Sequence, residues 1–338
     1  MTAPETPFTL EVHLDAESGR DRLASDARSG LLSPPRWILP KYLYDPAGCA
    51  LYEQITELDE YYQARTEMQI LAGAVAGIMA RHRPTELVEL GSGSSRKTRA
   101  LLDGLNGVGS EHRYLPFDVS SSALHDAAHA LADDYPELSI HAIAGDFEHH
   151  LGYVPARDPG AVRMVAFLGG TIGNISPALR PTFLRDVARL LAEGDVLLIG
   201  VDLDTDTERT RRAYDDAAGV TAQFNRNLLA ILNRELDADF DPDGFAHRAV
   251  WCADERRVEM RLRAAREMHV RLGYLDAEIT IADGEEILTE ICCKFNEPIV
   301  RAMYREAGLE LIEWHTDAEA RFAVTVARLA GGRSAAGA

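Results

Sequence analysis

Cysteine is scarce: the 338 residues hold four, Cys49, Cys252, Cys292 and Cys293. None forms a CxxC pair, and the adjacent Cys292 and Cys293 point to opposite faces if they lie on a strand. A disulfide framework and a zinc site are therefore not expected. No apolar run approaches the ~18–20 uncharged residues of a membrane span, and MTAPETPF lacks the basic-then-apolar texture of a signal peptide, so a cytoplasmic protein is expected. Basic residues are also in deficit. Lys plus Arg number 35 against 54 Asp plus Glu, a net charge of −19. That field repels phosphate backbones and anionic lipid, which speaks against nucleic acid and membranes as partners. Neither a GxSxG elbow nor a Walker loop occurs, and His149-His150 has no metal-ligand spacing around it and reads as a solvated pair.

What is present reads as an ordinary globular chain, 46% hydrophobic and 26% charged, long enough for two domains. The ends, 1–8 and 331–338, are expected to be disordered. Residues 31–62 are dense in proline and aromatics. From about Arg65 strands and helices alternate. Thr66–Met79 carries apolar residues at helical spacing, and strands are predicted over 86–90, 113–119, 139–147, 162–170 and 195–203. Helices are predicted over 95–105, 120–134 and 178–192, the last opened by Ser176-Pro177. This alternation predicts a doubly wound α/β parallel sheet, whose ligands sit beyond the carboxyl ends of the strands. After Leu203 the pattern breaks into two long helices and then long antiparallel strands over 257–282. A helix (298–307) and two terminal strands (309–316, 321–328) resume the sheet. Residues 204–294 read as an insertion that forms a cap with the aromatic N-terminal segment.

The chemistry-bearing positions follow the strands. In VELGSGSSRKT (88–98), Gly91 and Gly93 permit a tight turn and close approach to a ligand. A dinucleotide fingerprint needs a third glycine where Arg96 stands, so a nicotinamide is disfavoured. Glu89, two residues before Gly91, suits a cationic or zwitterionic nucleoside such as S-adenosylmethionine. The same loop also suits a plain strand–helix turn. Asp118 ends the second strand, where a carboxylate can accept ribose hydroxyls, and Asp146-Phe147 follows the third, where an acid can take an adenine amino group beneath an aromatic ring. Each alone also fits a surface acid. In LGGTIGN (168–174), Asn174 offers an acceptor and two donors, or simply caps a turn. Lys97 either reaches a cofactor carboxylate or lies at the surface. Tyr42, Tyr44, Tyr52, Tyr61, Tyr62 and Tyr214 crowd the cap, as packing residues or as faces around a methylated ammonium.

Together KYLYDPAGCALYEQITELDEYYQARTE, VELGSGSSRKTRALL, PFDVS, GDFEHHL, FLGGTIGN, RAYDDAAGVTAQFNRN and LTEICCKF resemble the histidine-specific N-alpha methyltransferases of ergothioneine biosynthesis, from about residue 20 to 328. The resemblance implies a Rossmann-like methyltransferase core (66–203 plus 295–330) and a second, α+β substrate-binding cap domain (14–65 plus 204–294). It implies three methyl transfers from S-adenosylmethionine to the α-amine of histidine, giving hercynine, with no metal. Gly91, Lys97, Asp118, Asp146 and Phe147 match cofactor-holding positions, and Tyr44 matches a tyrosine beside the cofactor. Tyr61 matches the tyrosine near the substrate amine and is the expected catalytic residue. Asn174 and Tyr214 match the pair on the substrate carboxylate, Glu290 the acceptor from the imidazole, and Met260 a pocket methionine.

Two departures stand out. Cys292 replaces the family's serine at the second imidazole contact, and a thiol is the larger and weaker partner. Gln63 stands where proline often follows the tyrosine pair, a difference read as loop stiffness. Cys292 keeps open the same chemistry on tryptophan or tyrosine. A catalytically silent nucleoside-binding module is the other alternative. The substrate is a small amino acid, and a monomer is expected.

Overall fold

The computed structural model describes residues 8–14, 16–93, 96–107, 112–203 and 206–331. The chain divides into two compact units, Met1–His13 with Gln63–Leu203 and Phe295–Ala338, and Leu14–Tyr62 with Asp204–Lys294.

The first unit is built on an eight-stranded sheet in the order Thr9–Val12, Leu138–Ala144, His112–Asp118, Glu86–Leu90, Arg163–Phe167, Val196–Asp202, Phe322–Leu329, Leu309–Thr316. The first six run parallel; Phe322–Leu329 is antiparallel to both of its neighbours. From Glu86–Leu90 the chain winds outward to one side through His112–Asp118 and Leu138–Ala144. It then returns to the other side through Arg163–Phe167 and Val196–Asp202. The sheet is thus a doubly wound, Rossmann-like α/β sheet, and its order reverses beside Glu86–Leu90, where such sheets open a ligand crevice past the strand ends. ELVEL and RMVAF are buried at every position, as strands covered on both faces must be. The core gathers Leu87, Tyr114, Met164, Leu198 and Val324 with Ile78 and Leu101 from helices Tyr62–His82 and Arg96–Asn106.

Three details differ from expectation. Phe8, assigned above to a disordered end, is buried in this core, and Thr9–Val12 adds a parallel edge strand against His141–Ala144. Residues 1–7 and 332–338 of the expected ends lie outside the described residues. The helix expected over 178–192 spans only Arg180–Ala188. Pro181 has no N–H to donate, so it is tolerated only in a first turn, and it moves the helix start past Pro177.

The second unit holds a four-stranded sheet in the order Arg36–Trp37, Glu286–Cys293, Arg257–Ala264, Phe245–Cys252, with a separate hairpin of Met268–Leu272 and Ala277–Ile281. The continuous strand pattern over 257–272 is therefore split between two sheets, and Phe245–Cys252 is a strand the sequence pattern did not reveal. Helices Ala16–Leu31, Pro46–Glu57, Thr207–Ala213 and Val220–Leu236 complete the unit. The first of the two expected long helices is only seven residues. It stops at Tyr214, and the Asp216 carboxylate then accepts from the Val220 and Thr221 N–H groups to start the next helix.

Candidate active site

In the first unit four features lie just past strand ends. Gly91 and Gly93 follow Glu86–Leu90 with φ of +72° and +50°, the left-handed region where a side chain is strained. The Gly91 N–H donates to the Phe117 carbonyl at 2.7 Å. Asp118 ties the loop down: one oxygen accepts from Gly93 N–H and the other from Ser120 N–H, each at 3.0 Å. Burial holds this carboxyl above its usual range, with the backbone donors opposing the shift. A carboxylate offers about four lone-pair positions, so two backbone donors leave acceptor capacity for ligand hydroxyls. Ser92, between the glycines, has a buried hydroxyl with no protein partner.

Past Leu138–Ala144, Asp146 is buried and accepts from Glu148 N–H at 2.9 Å, while its own N–H donates to His150 Nδ1 at 3.0 Å. His150 is thus a support for Asp146 rather than half of a solvated pair. Phe147 is half-buried against Phe117, Phe167 and Phe183, and a methyl on Gly91 would lie 3.5 Å from its ring. Past Arg163–Phe167, Gly169 and Gly170 turn with φ of +81° and +70° into the short turn Thr171–Gly173, which Asn174 closes.

Two acidic residues carry this loop system from behind. Glu67 has both oxygens on the Gly169 N–H, at 2.8 and 2.9 Å, and Lys97 Nζ at 2.5 Å. The helix interior TEMQ gave no sign of this, since its partner lies 102 residues away in sequence. Gly200 admits the carboxylate; a methyl there would sit 1.9 Å from its oxygen. Lys97, expected on the cofactor, is placed on Glu67. Glu89, expected to face a ligand, is turned inward and accepts from Thr98 Oγ1 at 2.5 Å and the Tyr114 hydroxyl at 2.6 Å.

In the second unit a file of edge-to-face rings runs Tyr44, Tyr52, Tyr61, Tyr214, with centroids 5.6, 6.3 and 6.2 Å apart. Tyr44 alone of the expected cofactor residues belongs to this unit. Glu290 lies opposite Met260 across the sheet, and Cys292 opposite Val258. The register slips between Leu288 and Glu290, with Thr289 as the extra residue. The alternation restarts there, so that Glu290 and Cys292 share the face of Met260 and all three are buried. The Tyr214 hydroxyl donates to Cys292 Sγ at 2.6 Å. The Tyr214 backbone is pinned from below: its carbonyl accepts from His247 Nε2 at 2.7 Å, and Asn225 Nδ2 donates to His247 Nδ1 at 2.9 Å. Burial keeps that imidazole neutral, which fixes the tautomer with the proton on Nε2.

The model of the histidine-specific, S-adenosylmethionine-dependent methyltransferases matches residues 23–329. The chain belongs to this family. A histidine N-alpha-methyltransferase of Mycolicibacterium smegmatis is 49% identical over 95% of this chain and 99% of its own length. One from Mycobacterium tuberculosis is 47% identical over 93% of this chain and 97% of that protein. The ergothioneine biosynthesis protein 1 of Schizosaccharomyces pombe is 30% identical over 68% of this chain, which spans 31% of that longer protein. The methyltransferase uses S-adenosylmethionine, and the first unit fits that group: two left-handed glycines, a tethered carboxylate with spare acceptor capacity, and the unpartnered Ser92 hydroxyl beside them. No helix among the described residues is long and apolar enough to cross a membrane.

Glu67 escaped the sequence reading, and His150 was read as part of a solvated pair. Gln63 needs correction too. Its side chain is 3% exposed, and both amide atoms are buried without a protein partner, so the residue does more than loosen a loop.

The inward Glu89 carries a stability prediction. Burial pushes its carboxyl up from its usual 4.5 to about 7, against the opposing bonds from Thr98 and Tyr114. The folded state therefore binds a proton more tightly than the unfolded chain. Its contribution is fully present below the unfolded value and is lost as pH rises through the folded one. The loss across that window is on the order of 3 kcal/mol. Urea unfolding of the wild type and Glu89→Gln at about pH 4.5 and about pH 8 should show the wild type losing that much relative to the variant. A pH-independent difference between the two would place Glu89 in the ordinary carboxylate range.

Proposed function

We propose that this enzyme trimethylates the α-amine of L-histidine to hercynine, the methylation step of ergothioneine biosynthesis. The observation that carries the reading is the buried face of Met260, Glu290 and Cys292 with Tyr214 against it: a ring-sized apolar wall beside a carboxylate and two hydrogen-bonding groups. When bound, S-adenosylmethionine would supply a methyl that the neutral α-amine attacks in line as S-adenosylhomocysteine leaves; with a fresh cofactor and loss of an amine proton each time, the transfer repeats twice more. Gly91, Asp118, Asp146 and Phe147 hold the nucleoside, with Lys97 and Tyr44 beside it. Asn174 and Tyr214 take the substrate carboxylate, and Glu290 and Cys292 take the imidazole, so the amine and not the ring is presented. Positioning of this kind supplies most of the acceleration, because little acid–base chemistry is needed.

Tyr61 orients the amine without acting as its base. Its hydroxyl is held well above 10, first by burial, then by Tyr52, Cys292 and Tyr44 around it. A neutral phenol can accept a hydrogen bond from the amine through its oxygen, and the amine proton leaves to water. The pH profile of kcat should therefore show no enzyme base titrating below about pH 10. Tyr61→Phe should lower kcat roughly 10- to 100-fold with the profile unchanged in shape. A variant profile that loses an ionisation would make Tyr61 the base.

The working form under this reading is a cytoplasmic monomer acting on a free amino acid; the charge of −19 supports a partner that is neither nucleic acid nor membrane. The deciding experiment is mass spectrometry of products from S-adenosylmethionine with histidine, tryptophan or tyrosine in parallel. Trimethylated histidine alone is expected. Methylation of another amino acid alone would move the specificity, and no product with any would overturn the reading.

A further inference from the structure

We propose that Lys294 is a positioning residue that sets the direction in which Tyr214 and Cys292 offer their protons, and so selects for a ligand with a carboxylate. The inference rests on the assignment of Tyr214 to the substrate carboxylate. Lys294 follows the strand Glu286–Cys293 and is 2% exposed. Its Nζ lies 3.4 Å from both the Tyr214 oxygen and Cys292 Sγ, and 4.8 Å from the Tyr214 ring centroid.

An ammonium can only donate. Beside it the Tyr214 oxygen must act as acceptor, so the single phenolic proton is directed away from the lysine. It lies on Cys292 Sγ at 2.6 Å, a weak acceptor that a ligand carboxylate on the same side of the ring can displace. That sulfur then receives two donors, and its own S–H is directed elsewhere. Each group around the ammonium thus presents a proton to whatever it faces next. A carboxylate, which only accepts, matches the Tyr214 proton, and an unprotonated imidazole nitrogen matches the thiol proton, while the other ring N–H suits Glu290.

The test measures binding of histidine and of histamine, which lacks the carboxylate, to the full-length protein in the presence of S-adenosylhomocysteine. Lys294→Met should weaken histidine about tenfold or more and histamine less than about threefold. At saturating histidine, kcat should fall no more than about threefold, because the lost interaction is one of ground-state and transition-state binding alike. Lys294→Arg keeps a donor-only group and should restore discrimination between the two ligands; Lys294→Gln brings an acceptor and should not. If the methionine variant does not fold, the Arg and Gln pair reads the same quantity. Equal weakening of both ligands, or identical behaviour of Arg and Gln, overturns the proposal. Tyr214→Phe separates the two levels of the argument. If it weakens histidine and histamine equally, the carboxylate assignment itself is wrong. If it weakens histidine selectively while Lys294→Met does not, only the role of the lysine falls.

Discussion

Glu290→Ala should lower kcat/KM for histidine by about 100-fold while leaving S-adenosylmethionine affinity within about twofold of wild type. Glu290 is nearly buried and sits opposite Met260, on the same face as Cys292. On the proposed assignment of Glu290 to the ring, removing the carboxylate would leave an imidazole N–H facing apolar wall, the unpaired-donor situation that costs more than the hydrogen bond was worth. Glu290→Gln tests charge against shape. Its carbonyl oxygen still accepts, so the loss should be about tenfold, the difference between a charged and a neutral acceptor. Five of the six residues proposed to hold the cofactor lie in the other compact unit, Tyr44 being the exception, which is why affinity for the methyl donor serves as the control. Unchanged activity of Glu290→Ala on histidine would remove this residue from the pocket, and with it the assignment of the ring.

The parallel sheet was legible because its strands are short, largely apolar runs set off by glycines and acids, as ELVEL before Gly91 shows. Expecting ligand groups at or past each strand end pointed to Gly91, Asp118, Asp146 and Asn174; Asp118 is the last residue of its strand, and the other three follow strands of the first unit. The second unit was harder. Its register depends on the bulge at Thr289, which no periodicity announces, and RVEMRLRAAREMHV reads as one strand although Arg257–Ala264 and Met268–Leu272 belong to different sheets. Glu89 was misread, and Glu67 and Lys294 were passed over, for a common reason. Glu89, Glu67 and Lys294 sit in stretches where a charge ordinarily marks a solvated face or a ligand. Each instead has its partner brought in by tertiary packing: Tyr114 for Glu89, Gly169 for Glu67, Tyr214 for Lys294. A buried charge is costly unless paired, so these residues carry much of the local organisation, and their partners lie too far along the chain for spacing to show them.

The largest loss of stability is expected at Glu67. Its side chain is fully buried and joins three parts of the first unit: the helix Tyr62–His82, Lys97 on the helix after the glycine loop, and the backbone of Gly169. Glu67→Ala removes the acceptor for the Gly169 N–H and the counter-charge for Lys97 together. Breaking a buried pair from one side costs about 3–5 kcal/mol, and the partial exposure of Lys97 puts the expected value near about 3. Glu67→Gln keeps an oxygen for Gly169 and should cost less, about 2 kcal/mol, since only the charge is lost. Adding Lys97→Met to Glu67→Gln should recover part of that loss, because a neutral pair carries no uncompensated charge; this non-additivity is what marks the two as coupled. Activity should fall further than stability suggests. Gly169 leads into Thr171–Gly173 and Asn174, and a displacement of about 1 Å at a positioning loop can cost about 100-fold in rate. Urea midpoints for the single and double variants, with kcat/KM on histidine for each, measure both effects. If Glu67→Ala retained wild-type stability and activity, Glu67 would be a bystander to the loop, and Lys97 would be set by contacts other than this one.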